Sequence, residues 1–196
     1  ATLLATLSPV WVVLGSRFFL GETVTRATLA GLGLCIAGAA LLVGASFSVA
    51  PEHLTGDIYG LIVSAFFGSY VLSVRRLRQH MGAGELMYRS SIITAAGLLV
   101  VALAGGGPMW PASLSGLGAL LAIALLSHVG GQGVTAFALG HLPAAFSSLV
   151  IFLEALAAAA TGYVVFGESM TALQMTGAAM LVAGIVVARP RRARRD

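Results

Sequence analysis

The sequence predicts an all-α polytopic membrane protein with seven transmembrane helices. Three observations carry that expectation. The 196-residue chain is 58% hydrophobic and only 9% charged, with a mean hydropathy of +0.97, whereas a soluble domain carries roughly 25% charged residues. Its apolar residues fall into seven stretches of the length, about 17–25 residues, that a bilayer demands. Its eleven basic residues are all Arg and leave alternate loops empty, as cytoplasmic loops and their opposites do. Each stretch is expected to be a helix, because backbone in hydrocarbon must satisfy its own hydrogen bonds. The alternation of a membrane barrel is absent.

The first stretch, 1–20, carries Pro9 two residues before Trp11, and the proline should kink it. Arg17 lies near its end, where it can snorkel to the interface. The second, 27–49, holds Gly31, Gly38 and the lone Cys35; a single cysteine gives no disulfide or metal framework. The third, 57–75, contains Tyr70 and ends at "RRLRQH". The fourth, 86–104, has Arg89 near its start. The fifth, 117–139, has His128 near its middle. The sixth, 142–165, has Glu154 near its middle. The seventh, 171–188, ends in the basic tail "RPRRARRD".

Arginine sets the orientation. With the tail inside, alternate crossings put "RRLRQHMGAGE", Arg17 and Arg26 inside as well. The opposite loops, 50–56, 105–116 and 167–169, contain no Arg. Trp110 then falls at the outer interface, where an amphipathic ring belongs. The tail is expected to meet anionic headgroups, and the basic charge is not distributed as a groove for nucleic acid. The chain lacks an initiator Met and begins within an apolar stretch that has no signal-peptide pattern, so its front is expected to lie upstream.

An internal repeat follows from the same map. Gly21, Glu22, Thr25, Gly31 and Gly38 recur as Gly167, Glu168, Thr171, Gly177 and Gly184, at one constant offset. Five spans separate the copies. Five is odd, so the copies should lie on opposite faces, as in the inverted repeats of secondary transporters. The glutamates sit between spans. Gly can close the preceding helix in a left-handed turn, Thr can cap the next one, and the carboxylate faces its positive end.

The stretch "LSPVWVVLGSRFFLGETVTRATLAGLGLCIAGAALL" resembles the end of the first EamA repeat in the drug/metabolite transporter superfamily. The stretches "GDIYGLIVSAFFGSYVLSVRRLR" through "FGESMTALQMTGAAMLVAGIVVA" resemble a complete second repeat. The resemblance covers nearly the whole chain and implies inverted EamA repeats. It also implies ten helices with both ends cytoplasmic, of which these are the last seven. The division is then 1–49 for the end of the first repeat, 50–56 for an external loop, 57–188 for the second repeat and 189–196 for a cytoplasmic tail. Such repeats commonly have Pro where this chain has Ala155, which implies a straighter helix near Glu154. The function implied is export of a small metabolite, amino acid or drug-like compound across the bacterial inner membrane by alternating access.

Ionisable groups deep in a bilayer are costly and point to function. Glu154 can bind an ammonium group or carry a proton. His128 titrates near physiological pH when unperturbed, so proton coupling through either residue is one reading. The other is that each hydrogen-bonds to a neighbouring helix and fixes packing. Gln132 shares a helix face with His128, among Gly130, Gly131 and Gly133, which leave room for a ligand or for close helix packing. Trp11 and Tyr70 need partners for their polar groups within a span and can wall a substrate site or pack the core. Arg89 can snorkel or hold a substrate carboxylate. The expected substrate contacts are therefore Glu154, His128, Gln132, Trp11, Tyr70 and Arg89. No catalytic constellation, metal-ligand spacing or nucleotide loop is present in the sequence. No cofactor is expected, and the reading is not of an enzyme. The rival readings are a membrane scaffold or nonfunctional fragment, and an intramembrane lipid-handling enzyme.

Overall fold

The computed structural model describes residues 7–43, 54–106, 110–111, 113–167 and 171–190, and among them it is helical with no strand. The helices are α1 (Ser8–Leu20), α2 (Arg26–Val43), α3 (Leu54–Leu77), α4 (Ala83–Gly105), α5 (Leu114–Ala122), α6 (Gly133–Leu139), α7 (Ala144–Val150), α8 (Leu153–Phe166) and α9 (Ala172–Ala188). A π-helical segment, Ile123–Gln132, joins α5 to α6. Each expected span coincides with one apolar helical stretch. Four are long and apolar enough to cross a membrane, at 55–77, 83–105, 114–139 and 144–165, while Ser8–Leu20, Arg26–Leu42 and Ala172–Ala188 are shorter apolar helices.

The chain forms two compact units, one of residues 1–73 with 142–196 and the other of residues 74–141. The first gathers helices from both expected repeats, because α2 and α9 pack directly on each other. That seam is made by glycine. A Cβ on Gly31 would lie 2.5 Å from the Gly184 carbonyl oxygen, and one on Gly38 would lie 2.6 Å from the Gly177 oxygen. The helices run antiparallel, since Gly31 meets Gly184 and the later Gly38 meets the earlier Gly177. Between these crossings the Cys35 thiol donates to the Leu181 carbonyl at 3.6 Å, a pair 146 residues apart. Small residues allow this close backbone approach. Leu32, Leu42, Leu149 and Phe152 close the core around the seam.

The turns follow the repeat. Gly21 (φ 65°) and Gly167 (φ 67°) are both left-handed, and their N–H groups donate back to the Ser16 and Gly162 carbonyls. Only glycine takes this conformation without a steric penalty. Thr25 Oγ1 accepts the Thr28 N–H at 3.1 Å. Thr171 makes a reciprocal capping box with Gln174. Glu22 departs from expectation. Its carboxylate reaches the N-terminus of α7, where both oxygens accept the Ala144 N–H at 2.9 and 3.1 Å. The residue before α7 is Pro143, whose side chain cannot cap it. Glu168 lies outside the described residues.

The sixth span is not α-helical throughout. It breaks at Ile151–Phe152, where Ile151, Phe152, Glu154 and Ala155 donate to the third residue back rather than the fourth. The break therefore forms without a proline, one turn before Ala155. The α1 helix starts at the equivalent register, just after Leu7, with Pro9 in its first turn. Proline is tolerated there, since its missing N–H has no helical partner to lose.

In the second unit the "RRLR" segment ties down α6. Arg75 donates to the Leu139 carbonyl at 2.8 Å and Arg78 to the Ala136 carbonyl at 2.9 Å. Cations and donors at a helix C-terminus meet both its dipole and its unpaired carbonyls. Gly140 leaves space that the Arg78 guanidinium fills; a Cβ there would collide with it.

Candidate functional site

Trp11, Tyr70 and Glu154 belong to the first unit, and Arg89, His128 and Gln132 to the second. In the first unit Trp11 is 43% exposed. Its indole N–H donates to Ser64 Oγ on α3 at 2.9 Å, and the buried Ser64 hydroxyl donates on to the Leu61 carbonyl at 2.7 Å. Gly68 leaves the room this requires, because a Cβ there would stand 2.7 Å from Trp11 Cβ. The indole's polar edge is thus satisfied within the protein, and its ring face stays partly open. Tyr70 stacks at a tilt on Phe67, with centroids 5.9 Å apart. It is half-buried.

Glu154 stands in the first turn of α8, immediately after the break, and is exposed. Its carboxylate has no ion-pair partner among the described residues. Two turns earlier the Ser147 hydroxyl is buried with no hydrogen-bond partner among them. A break in a spanning helix weakens the regular carbonyl ladder, and transporters use such breaks to bind ions and polar substrates.

In the second unit His128 lies inside the π-helical segment. Its Nε2 is 3.0 Å from Ser91 Oγ on α4. The pair sits on a cavity of about 330 Å³ that Met87, Tyr88 and Val129 also line. The inter-helix hydrogen bond is the packing role weighed for His128, and the cavity leaves its ring accessible as well. Gln132 ends the π segment and is not among the residues lining that cavity. Arg89 is occupied nearer home, in a 2.7 Å ion pair with Glu85 one turn back on the same exposed face. A pair of that kind adds little stability, yet it holds the guanidinium away from the role of a lone carboxylate binder.

Ser64 and Ser91 were not singled out from the sequence. The available signal was a hydroxyl at mid-span, which serine in a membrane helix usually turns back on its own carbonyls.

The chain is similar to known proteins in sequence and in fold. The sequence profile of the EamA-like transporter family matches residues 54–189. The chain is 28% identical over 186 residues to the pseudopaline exporter CntI of Pseudomonas aeruginosa, covering 95% of this chain and 64% of that one. It is 27% identical over 150 residues to the threonine/homoserine exporter RhtA of Escherichia coli, covering 76% of this chain and 50% of RhtA. A crystal structure at 22% identity superposes with a TM-score of 0.76, over 95% of this chain and 66% of the other. That likeness is one of fold. The chain thus spans less than two thirds of the length of either exporter.

Proposed function

The chain belongs to the EamA-like transporter family, and from that membership we propose that it is part of a secondary transporter exporting a small metabolite, amino acid or drug-like compound across the bacterial inner membrane. It moves its substrate by alternating access between two inverted repeats, as the last seven of ten helices with a cytoplasmic C-terminus. The observation that carries this reading is the reciprocal seam. Gly31 packs on Gly184, and Gly38 packs on Gly177. Under the repeat, Gly31 corresponds to Gly177 and Gly38 to Gly184, so exchanging the repeats turns the Gly31–Gly184 contact into the Gly177–Gly38 contact. Cys35 corresponds to Leu181, and these two meet each other. An axis that exchanges the repeats by a half-turn demands this pattern. The export direction rests on the relatives, CntI and RhtA, being exporters.

In this mechanism Glu154, placed after the helix break, takes a substrate ammonium or a proton. Trp11 and Tyr70 supply aromatic wall. His128 and Gln132 are further proposed substrate contacts, and Arg89 exchanges Glu85 for a substrate carboxylate. The Arg tail docks on anionic headgroups.

Transport by the full natural chain in proteoliposomes, measured across pH, tests the central role. Glu154→Gln is expected to lower the rate at least tenfold and to flatten its pH dependence. An unchanged rate, affinity and pH profile would remove Glu154 from the site.

A further inference from the structure

The turn between α3 and α4 gathers positive charge. Residues 74–141 carry Arg75, Arg76, Arg78 and Arg89 against a single carboxylate, Glu85, and Glu85 is paired with Arg89. Arg78 stands at the centre. Its Nε donates to the Ala136 carbonyl of α6 and its Nη1 to the Met81 carbonyl of the turn. Its guanidinium also lies against Gly140, where a Cβ would stand 2.8 Å from Cζ. Two of these anchors have a histidine as chain neighbour, His80 before Met81 and His141 after Gly140. Both histidines are exposed. His141 Nδ1 is 2.9 Å from the Phe137 carbonyl; a carbonyl only accepts, so Nδ1 carries the hydrogen and Nε2 is left over. Among the described residues, Arg78 Nη2 and the His80 ring have no hydrogen-bond partner. The carbonyls satisfy two Arg78 donors but leave its net charge in place.

An apolar slot begins beside this cluster. The cavity of about 330 Å³ starts at Ala83 and Gly84, and three residues separate Ala83 from His80, a reach of roughly 11 Å at most. It follows α4 as far as Ser91, about 10 Å along the helix. Its lining side chains are apolar apart from Tyr88, Ser91 and His128. The α4 helix is long and apolar enough to cross a membrane. Its first turn therefore belongs at headgroup level, and Ser91 belongs in the hydrocarbon.

We propose that cluster and slot together bind an anionic phospholipid of the surrounding bilayer, with its phosphate on Arg78 and His80 and an acyl chain in the cavity. Basic pockets at the ends of membrane helices suit lipid phosphates. The local excess of positive charge favours a lipid with net negative charge over a zwitterionic one, whose ammonium meets the same arginines. The slot favours a lipid over a soluble phosphate, because only a lipid has a chain to bury there. The site is separate from the basic tail and requires a bilayer, not transport. Where the transport reading also holds, chain and substrate compete at His128.

The test is native mass spectrometry of the full natural chain in detergent. The probes are phosphatidylglycerol, phosphatidylcholine with the same chains, and glycerol 3-phosphate, which has no chain. Phosphatidylglycerol is expected to occupy one tight site, at least tenfold more tightly than either other probe. Gly84→Leu fills the slot. A Cβ at Gly84 meets nothing within 4 Å, and replacing a helical glycine does not cost helix stability. This variant should bind phosphatidylglycerol about tenfold more weakly with no fall in its thermal midpoint. Arg78→Gln should weaken it about tenfold as well. Because Arg78 also holds α6, His80→Ala keeps the test valid if Arg78→Gln misfolds; it should weaken binding about threefold. Changing Arg191, Arg192, Arg194 and Arg195 together to Gln should leave the tight site intact. Equal affinity for the two lipids overturns the proposal, as does glycerol 3-phosphate binding as tightly as phosphatidylglycerol. Unchanged affinity in Gly84→Leu or in His80→Ala overturns it too, and so does loss of the tight site with the tail arginines. No readout involves transport, so failure here leaves the transport reading standing, and failure of transport leaves the lipid site standing.

Discussion

Glu22 shows how far a single residue can be read from its neighbours in sequence. Its place after a left-handed glycine marks a helix end, and the structure has that end. Its partner, Ala144, is 122 residues away, beyond any local pattern. The sequence supplied the other half of the signal in Pro143, which opens a helix it cannot cap. Removing the carboxylate leaves the Ala144 N–H without its partner at a fully buried residue. An unsatisfied buried donor costs about 1–3 kcal/mol. Glu22→Ala should therefore lower the thermal midpoint of the purified protein by several degrees, and Glu22→Gln by much less; equal losses would mean that the cap contributes nothing. Trp11 follows the same logic. Trp11→Phe removes the indole N–H that the buried Ser64 Oγ accepts and should cost about 1 kcal/mol, read as a shift in the same midpoint. Neither serine partner was legible in the sequence, because a neutral hydroxyl at mid-span looks the same whether it bonds its own helix or another.

Helices were the legible level, and the bilayer is the reason. A span must be apolar and about 20 residues long, so composition locates it, and among the described residues the helices fall on the expected stretches. Departures from ideal helix were not legible. The break at Ile151–Phe152 has no proline to announce it, and the π-helical segment has only the close run Gly130, Gly131 and Gly133, which packing explains equally well. π-Helical turns recur at functional sites, and His128 lies inside this one. The glycine seam of α2 and α9 makes a sharp prediction at this scale. In Gly38→Ala the new Cβ would stand 2.6 Å from the Gly177 oxygen and 2.8 Å from the Leu181 nitrogen. Backbone atoms cannot swing aside, so the helices must separate. The expected cost is about 1–3 kcal/mol. Gly33→Ala, on the same helix with nothing within 4 Å of its Cβ, should be neutral or stabilising by up to about 1 kcal/mol. Thermal unfolding of the two variants side by side measures the difference; a Gly38→Ala protein as stable as Gly33→Ala would mean the seam is loose.

At the scale of the whole molecule the open quantity is orientation, and it decides what the seam means. Two helices can pack antiparallel through glycine in any bundle. Under the proposed inverted repeat the exchanged partners follow from a half-turn in the membrane plane, which also puts equivalent loops on opposite faces. The Arg pattern makes the same demand independently, since it places the Gly21–Glu22 turn with Arg17 and Arg26 and leaves the Gly167 turn free of basic residues. The sequence could suggest this, because charge bias survives in a single chain, but it could not supply the contacts between α2 and α9. A direct measurement follows. Cysteine placed singly at Thr23 and at Ser169, in a Cys35→Ser background, is labelled with a membrane-impermeant maleimide in intact cells and in inverted vesicles. Thr23→Cys should react only in inverted vesicles and Ser169→Cys only in cells. Cys35 is buried in the seam, so its removal clears background without touching either loop. Reaction of both sites from one side would leave the glycine exchange without a symmetry to explain it, and the midplane assignment of Glu154 would fall with it.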